Sequence, residues 1–102
     1  MNDTPLPKGY WIAHNDVKDP EIYKQYLAAN AKAFAKFGGT FVVRGGRHEA
    51  MQGHLRSRHV VVEFKDYETA LACYHSPEYQ EAAKIRLAAS EGDLVIVEGP
   101  SA

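Results

Sequence analysis

Arg86 is the residue whose position most clearly suggests chemistry. It follows Tyr79 by seven residues, on a predicted helical stripe that Ala82 and Ala83 otherwise fill with apolar side chains. This spacing aims a guanidinium towards the interior, where it could hold the carboxylate of a small ligand in a bidentate pair. A structural role fits equally, with the side chain reaching water or pairing with an internal acid such as Glu63. Both interpretations stay open at this point.

Arg44 is a second candidate, because it ends an apolar stretch immediately before two glycines. Gly45 and Gly46 carry no side chains, so a ligand or another strand can approach their backbone closely. The alternation of a strand places Arg44 on the same side as Thr40 and Val42. We expect this arginine either to bind an anion in a cleft or to form an ion pair across a subunit interface.

The histidines and the charged residues between positions 44 and 59 give weaker signals. Imidazole ligates metals and titrates near neutral pH, but the five histidines form neither an HxxxH pair on a helix nor a Cys/His cluster. We therefore predict no metal site. The segment from Arg44 to His59 carries four arginines and three histidines against one acid, Glu49. This excess would suit an acidic small-molecule ligand, but we favour a solvated hairpin, because exposed turns are usually charged.

The elements that must position these residues begin with a strand and a helix. Residues 10–14 are aromatic and β-compatible, which predicts the first strand. Asp19, Pro20 and Glu21 are the residue types of a helix N-terminus: a cap, a first-turn proline and an acid near the positive end of the dipole. Gly38 suits the left-handed cap that would end this helix.

The next two strands are predicted to pair as a hairpin. The apolar run at 40–44 predicts the second strand, with a bulge or bend at Gly45 and Gly46 before it resumes over residues 47–51. Residues 59–64 are rich in valine and predict the third strand, antiparallel to the second.

The last third of the chain predicts a helix in two pieces and a final strand. Asp66 can cap the first piece, and Ser76 followed by proline restarts the chain as a second piece that runs to about residue 89. Residues 94–98 predict the last strand. The resulting order, β-α-β-β-α-β, is that of a ferredoxin-like α+β fold with one four-stranded antiparallel sheet.

The central strands are apolar on both faces, although an antiparallel sheet with one wet face should alternate apolar and polar residues. The runs at 41–43, 60–62 and 94–97 show this most clearly. Right-handed crossovers place both helical segments on the same face, so another layer must cover the second face. A second copy of the chain is the simplest supplier, and we expect a homodimer. The alternative is that these residues merely reflect the strand propensity of valine.

Composition sets the remaining expectations. The 102 residues fit one domain over 9–99, with a flexible segment at 1–8 and a short tail at 100–102. No apolar stretch is long enough to cross a membrane, and a net charge of -1 argues against nucleic acid as a partner. One cysteine and the lack of a secretory signal at the start suit the cytoplasm.

Several local patterns occur together in one order along nearly the whole chain. They are GYWIA at 9–13, DPExY at 19–23, RGG at 44–46, VVEF at 61–64, YHSPEY at 74–79 and VIVEG at 95–99. The chain thereby resembles the domain-of-unknown-function 1330 family of the dimeric α+β barrel superfamily. The resemblance implies a ferredoxin-like subunit whose sheet packs on a second sheet. Superfamily branches include cofactor-independent monooxygenases, muconolactone isomerases, haem-degrading enzymes and chlorite dismutases, so the fold selects no reaction.

These observations combine into one hypothesis and one alternative. We expect a homodimer that binds a small organic acid or aromatic in a pocket between the sheet and the helices. The residues expected to line it are Tyr10, His14, Arg44, Glu63, Tyr79 and Arg86. If the protein is an enzyme, an arginine would orient the anion while His14 or Glu63 moved a proton, without a tightly bound cofactor. The alternative is a non-catalytic ligand-binding or interaction dimer, in which these groups satisfy one another.

Overall fold

The strands and helices follow one another in the order β-α-β-β-α-α-β. The computed structural model describes residues 5–101. The elements are β1 (Gly9–Val17), α1 (Pro20–Phe37), β2 (Thr40–Arg44), β3 (Arg58–Phe64), α2 (Tyr67–His75), α3 (Pro77–Ala89) and β4 (Ser90–Glu98). The predicted flexible segment 1–8 and tail 100–102 lie partly outside the described residues, and residues 5–8 belong to no strand or helix.

The four strands form one antiparallel sheet in the order β2-β3-β1-β4. The helices bury their apolar sides against a single face of it. The ferredoxin-like α+β fold predicted from the sequence is therefore confirmed. Within the described residues, no helix is both long and apolar enough to span a membrane.

The ends of the helices lie where the sequence predicts them, because the capping side chains act as expected. The carboxylate of Asp19 accepts a hydrogen bond from the backbone N–H of Ile22, and Gly38 ends α1 with a φ of 72°. Ser76 separates α2 from α3, and its hydroxyl accepts from the N–H of Tyr79 at 3.2 Å. Ser76 is thus the N-cap of α3.

The strands differ from the prediction in length. β1 runs on to Val17 and β4 begins at Ser90, because their antiparallel pairing continues past the apolar runs from which they were predicted. The predicted continuation of the second strand over 47–51 is wrong. Gly45 turns the chain with a φ of 65°, and residues 45–57 contain no strand.

An aromatic cluster forms the core between the helices and the sheet. The ring of Trp11 lies edge-on to Tyr79 at 4.7 Å and to Phe34 at 5.1 Å between ring centroids. Its indole N–H donates to the carbonyl of Ala70 at 2.9 Å, which fastens α2 to β1. The helices cover this side of the sheet, although Leu94 and Ile96 of β4 are only partly buried.

The opposite side of the sheet, here called the open face, is not covered within the described chain. Val95 is 54% exposed, Val97 41% and Val43 40%. These valines lie on the same face as Ile12 and Val61, which the strand register places opposite them or beside them. The two-sided apolar pattern of the strands therefore leaves one apolar surface without a cover.

Candidate functional site

The residues predicted to share one pocket lie on two different faces of the sheet. Tyr10 and His14 point to the open face from β1, and Glu63 lies opposite Tyr10 in the register of β3. Tyr79 and Arg86 lie on α3 and are buried against the other face. The expectation that all six line one pocket between sheet and helices is therefore wrong, because the sheet itself separates the two groups.

Arg44 lies apart from both groups, at the edge strand. A register shift between Phe41 and Val43 changes the alternation of β2, so Arg44 lies opposite Val60. Its guanidinium lies over the ring of Phe41, 4.4 Å from the centroid. The expectation that it shares a side with Thr40 and Val42 is wrong, because a bulge was predicted at Gly45 and Gly46 and not between Phe41 and Val43.

Tyr10 and Glu63 satisfy each other on the open face. The Tyr10 hydroxyl donates a hydrogen bond to the Glu63 carboxylate at 3.0 Å, and this bond raises the pKa of Tyr10. The pair explains the position of the acid without a ligand. It also rules out the pairing of Glu63 with Arg86 that the sequence left open, since the two side chains lie on opposite faces.

Arg86 is a buried cation without a buried anion. It is 9% exposed, and its Nη2 donates to the side-chain Oδ1 of Asn15, which is itself 2% exposed. The Asn15 amide nitrogen in turn donates to the hydroxyl of Tyr23 at 3.4 Å. Within residues 5–101, no carboxylate forms a salt bridge with Arg86. The positive charge therefore has a hydrogen-bond acceptor but no countercharge.

A groove of about 380 Å³ leads to Arg86 from the surface. We call it the α3 groove, because it runs between that helix and β4. Its lining residues are mostly apolar or aromatic and include Leu71, Tyr74, His75, Tyr79, Arg86, Leu94 and Ile96. A volume of this size and a lining with few polar groups are typical of sites for small organic molecules.

Tyr79 lines the groove, and its hydroxyl contacts that of Tyr26 in the core. The two hydroxyls form a hydrogen bond of 3.0 Å, and burial raises the pKa of both. Both phenols are therefore neutral at physiological pH. Neither is prepared to act as a phenolate base.

A second arginine lies on the far side of Asn15. Arg58 of β3 is the register partner of Asn15 and packs 5.7 Å from the ring centroid of Tyr23. Its Nε is buried and has no hydrogen-bond partner among the described residues. It lines an inner cavity of about 20 Å³, which has room for about one water molecule. From the sequence, Arg58 was considered only as one of the four arginines in the basic segment between positions 44 and 59.

His14 belongs to a histidine cluster on the open face, formed with His48 and His59. The Nδ1 atoms of His14 and His59 are 2.7 Å apart, and the ring of His48 lies 4.8 Å from that of His59. Within residues 5–101, no group of three potential ligands is arranged to hold a metal ion. The cluster is separated from the α3 groove by the thickness of the sheet.

The groove contains residues that the sequence did not assign to the pocket. Tyr74 and His75 end α2 immediately before the break at Ser76, and the restart of the chain turns both towards the groove. Leu94 and Ile96 alternate along β4 on the helix-covered face. That alternation was readable from the sequence. The position of His75 in the groove depends on how α2 and α3 pack, and no local sequence pattern predicts that packing.

Comparison with protein families identifies the chain. Residues 8–100 match the family described as a domain of unknown function, DUF1330. This chain belongs to the DUF1330 family. The resemblance expected from its local motifs is confirmed over nearly the whole sequence. No curated protein matches it.

Solved structures show the same fold at low sequence identity. RPA0582 from Rhodopseudomonas palustris, a protein of unknown function, aligns with a TM-score of 0.76 and 17% identity, over 98% of this chain and 88% of that one. SnoaB from Streptomyces nogalater, a cofactor-independent oxygenase, gives 0.63 and 16%, over 95% and 97%. A dimeric ferredoxin-like protein from Thermobifida fusca gives 0.60 and 19%, over 91% and 90%.

Proposed function

We propose that this DUF1330 protein binds a small organic acid with an aromatic or apolar body in the α3 groove. The observation that carries the proposal is the buried guanidinium of Arg86, which has a neutral amide as its partner and no countercharge within the described residues. Burying an uncompensated charge is costly, and the cost is offset when an anion binds beside it.

The groove complements each part of such a ligand. Arg86 offers its remaining N–H groups to a carboxylate, in the fork geometry that favours bidentate pairing. Tyr74 and Tyr79 present aromatic surface, and Leu94 and Ile96 present aliphatic surface, to the apolar body. Most of the stabilisation would come from this apolar contact, while the arginine selects the anion.

Thermal-shift measurements with matched probes test this proposal. Benzoate should raise the melting temperature, whereas benzamide, which has the same ring and no charge, should not. Arg86→Met should lose the benzoate shift, and Arg44→Met should keep it, because Arg44 lies at the sheet edge over Phe41. If Arg86→Met does not fold, Arg86→Lys keeps the charge without the fork and should bind benzoate more weakly. An equal shift by benzamide, or an undiminished benzoate shift in Arg86→Met or Arg86→Lys, would contradict the proposal.

We also propose that the protein is a homodimer in which two open faces stack. The supporting observations are the exposed valines of that face and the packing of the helices on the other face. The ferredoxin-like protein from Thermobifida fusca, which has a similar fold, is dimeric. Stacking two sheets would bury the apolar surface at roughly 25 cal/mol per Å², before association costs.

A cofactor-independent enzyme of the monooxygenase or isomerase type is the second candidate. The observation that favours it is the presence of His75 in the groove lining, together with the fold shared with the oxygenase SnoaB. His75 would then move the proton for which the sequence suggested His14 or Glu63, because the sheet separates those two from the groove. Turnover of an anionic substrate that is lost in His75→Gln, with binding retained, would support this candidate.

A further inference from the structure

The histidine cluster forms a connected group at one end of the open face. His14 and His59 are register partners on β1 and β3, and their rings lie 5.0 Å apart between centroids. His48 lies against the other side of His59, and its Nδ1 is 3.2 Å from the carbonyl oxygen of Gly46. The cluster continues the apolar surface, since Ile12 and Val61 occupy the adjoining positions of the same face.

The contact between His14 and His59 requires a particular protonation state. Two Nδ1 atoms 2.7 Å apart form a hydrogen bond only when one carries a hydrogen and the other offers a lone pair. An additional proton on the outer nitrogen of the donor ring leaves this hydrogen bond in place. An additional proton on the acceptor Nδ1 uses the lone pair and removes the bond. A fully protonated pair would have two facing N–H groups and two positive charges at this distance, which removes the bond and adds repulsion.

The concavity around the cluster is lined by three carboxylates, those of Asp16, Glu49 and Asp93, and by one guanidinium, that of Arg56. Arg56 donates to Asp16 at 3.0 Å and to Asp93 at 3.2 Å, so these two carboxylates share one guanidinium. The hydrogen bond from the backbone N–H of Ser57 makes the largest contribution to lowering the pKa of Asp16, and Arg56 lowers it further. Asp16 therefore stays ionised throughout the range in which histidines titrate. The other titratable residues that line the same concavity are Glu49 and His54.

We propose that the stacked homodimer forms only while the His14, His48 and His59 cluster is largely uncharged, so that mild acid separates the subunits. This inference rests on the proposed homodimer, since the second copy is what removes water from the open face. A protonated cluster beneath a second sheet loses hydration, its facing rings repel each other, and Asp16 and Asp93 in the same concavity are already bound to Arg56. The cluster would thus make assembly of the protein sensitive to pH.

The expected direction follows from the protonation of His59. Desolvation, with smaller contributions from His48 and His14, lowers its pKa below the ordinary value. A second sheet stacked on the face would desolvate this ring further, so the associated state should bind protons less readily than the separated one. The dimer should have its full affinity above the ordinary histidine pKa and lose affinity as the pH falls through and below about 6.5.

Sedimentation velocity at about pH 8 and about pH 5 tests the inference, with circular dichroism as a check that the subunits stay folded. We expect a dimer at the higher pH and a dimer dissociation constant at least about tenfold larger at the lower pH. The double variant His14→Gln/His59→Gln keeps an amide donor and acceptor without a titrating ring, and it should remain dimeric at both values. His75→Gln, on the other side of the sheet, should behave like the unmodified protein.

The outcomes separate this inference from the homodimer proposal. A monomer already at about pH 8 would contradict the homodimer itself. A dimer of equal affinity at both pH values would overturn the pH dependence while leaving the homodimer intact. Acid dissociation that persists in the double variant would overturn the assignment to the cluster, as would loss of the folded subunit in place of dissociation.

Discussion

Arg86 of α3 donates a hydrogen bond to the side-chain oxygen of Asn15 on β1, and this bond joins a buried cation to a buried neutral amide. An aspartate at position 15 would complete the pair with a countercharge inside the protein. The use of an amide at this position leaves the guanidinium able to interact with an external anion. The proposed function depends on the neutral amide of Asn15, which gives Arg86 no countercharge.

The variant Asn15→Asp therefore tests the electrostatic argument directly. The new carboxylate should pair with Arg86, and the unliganded protein should keep or increase its melting temperature. Benzoate should bind at least about tenfold more weakly, because the internal anion now occupies the guanidinium. Calorimetric titration measures the change in affinity. Unchanged benzoate affinity in a folded Asn15→Asp protein would show that Arg86 does not recognise the ligand.

Gly92 of β4 is the register partner of Asn15, and because it has no side chain it leaves room for the Asn15 amide. A methyl group at this glycine would overlap Asn15 Oδ1 and the carbonyl oxygen of His14. We expect Gly92→Ala to destabilise the protein by about 1–3 kcal/mol, as overpacking typically does. Urea unfolding measures the change. Gly46→Ala is the matched control, since a methyl group there meets no atom within 4 Å.

Ser76 fixes the start of α3 and therefore the position of Tyr79 in the groove. Its hydroxyl accepts from the N–H of Tyr79 and donates to the carbonyl of Cys73 at 2.7 Å. Ser76→Ala should lower the free energy of unfolding by about 1 kcal/mol, the usual effect of losing an N-cap. Ser101→Ala, at an exposed position outside the helices, should leave it unchanged. A Ser76→Ala protein as stable as the original would mean that the cap contributes nothing here.

Cys73 provides a check on the packing of α2. Its side chain is fully buried, and burial raises the pKa of the thiol to about 12. A thiol reagent should therefore react with the native protein far more slowly than with the protein in urea, even at mildly alkaline pH. Rapid labelling of the native state would show that α2 does not pack as described.

The open face can be tested by one charge placed on it. Val97→Lys puts an ammonium among the exposed valines of the sheet, and it should weaken the dimer at least about tenfold, or about 1.4 kcal/mol. Leu87→Lys, at an exposed position on α3, should leave the dimer intact. Sedimentation equilibrium compares the two. Equal dimer affinities would show that the subunits associate through another surface.

Sequence patterns predicted the fold well because local interactions decide most of it. The caps at Asp19, Asp66 and Ser76 act within three residues along the chain, so they could be read directly. The valine-rich strands carry their two-sided pattern in the sequence itself. The extra length of β1 and β4 was missed because pairing between Asn15 and Gly92, or Asp16 and Glu91, depends on tertiary neighbours rather than on strand propensity.

The candidate site was predicted only in part, for a geometrical reason. The helical spacing correctly placed Arg86 and Tyr79 towards the interior. Tyr10, His14 and Glu63 were grouped with them because residue type alone does not reveal which face of the sheet a strand position occupies. A shift of one position moves a side chain to the other face. Asn15, the partner of Arg86, carried no signal of its own until the register was known.

Chemical-shift mapping of bound benzoate tests the central claim most directly. With isotopically labelled protein, the Nε–H of Arg86 and the backbone amides of Leu94 and Ile96 should shift and saturate together as benzoate is added. Benzamide should leave the Arg86 signal in place. Saturable shifts confined to the open face around His14 and His59, or no saturable shift at all, would contradict an anion site in the α3 groove.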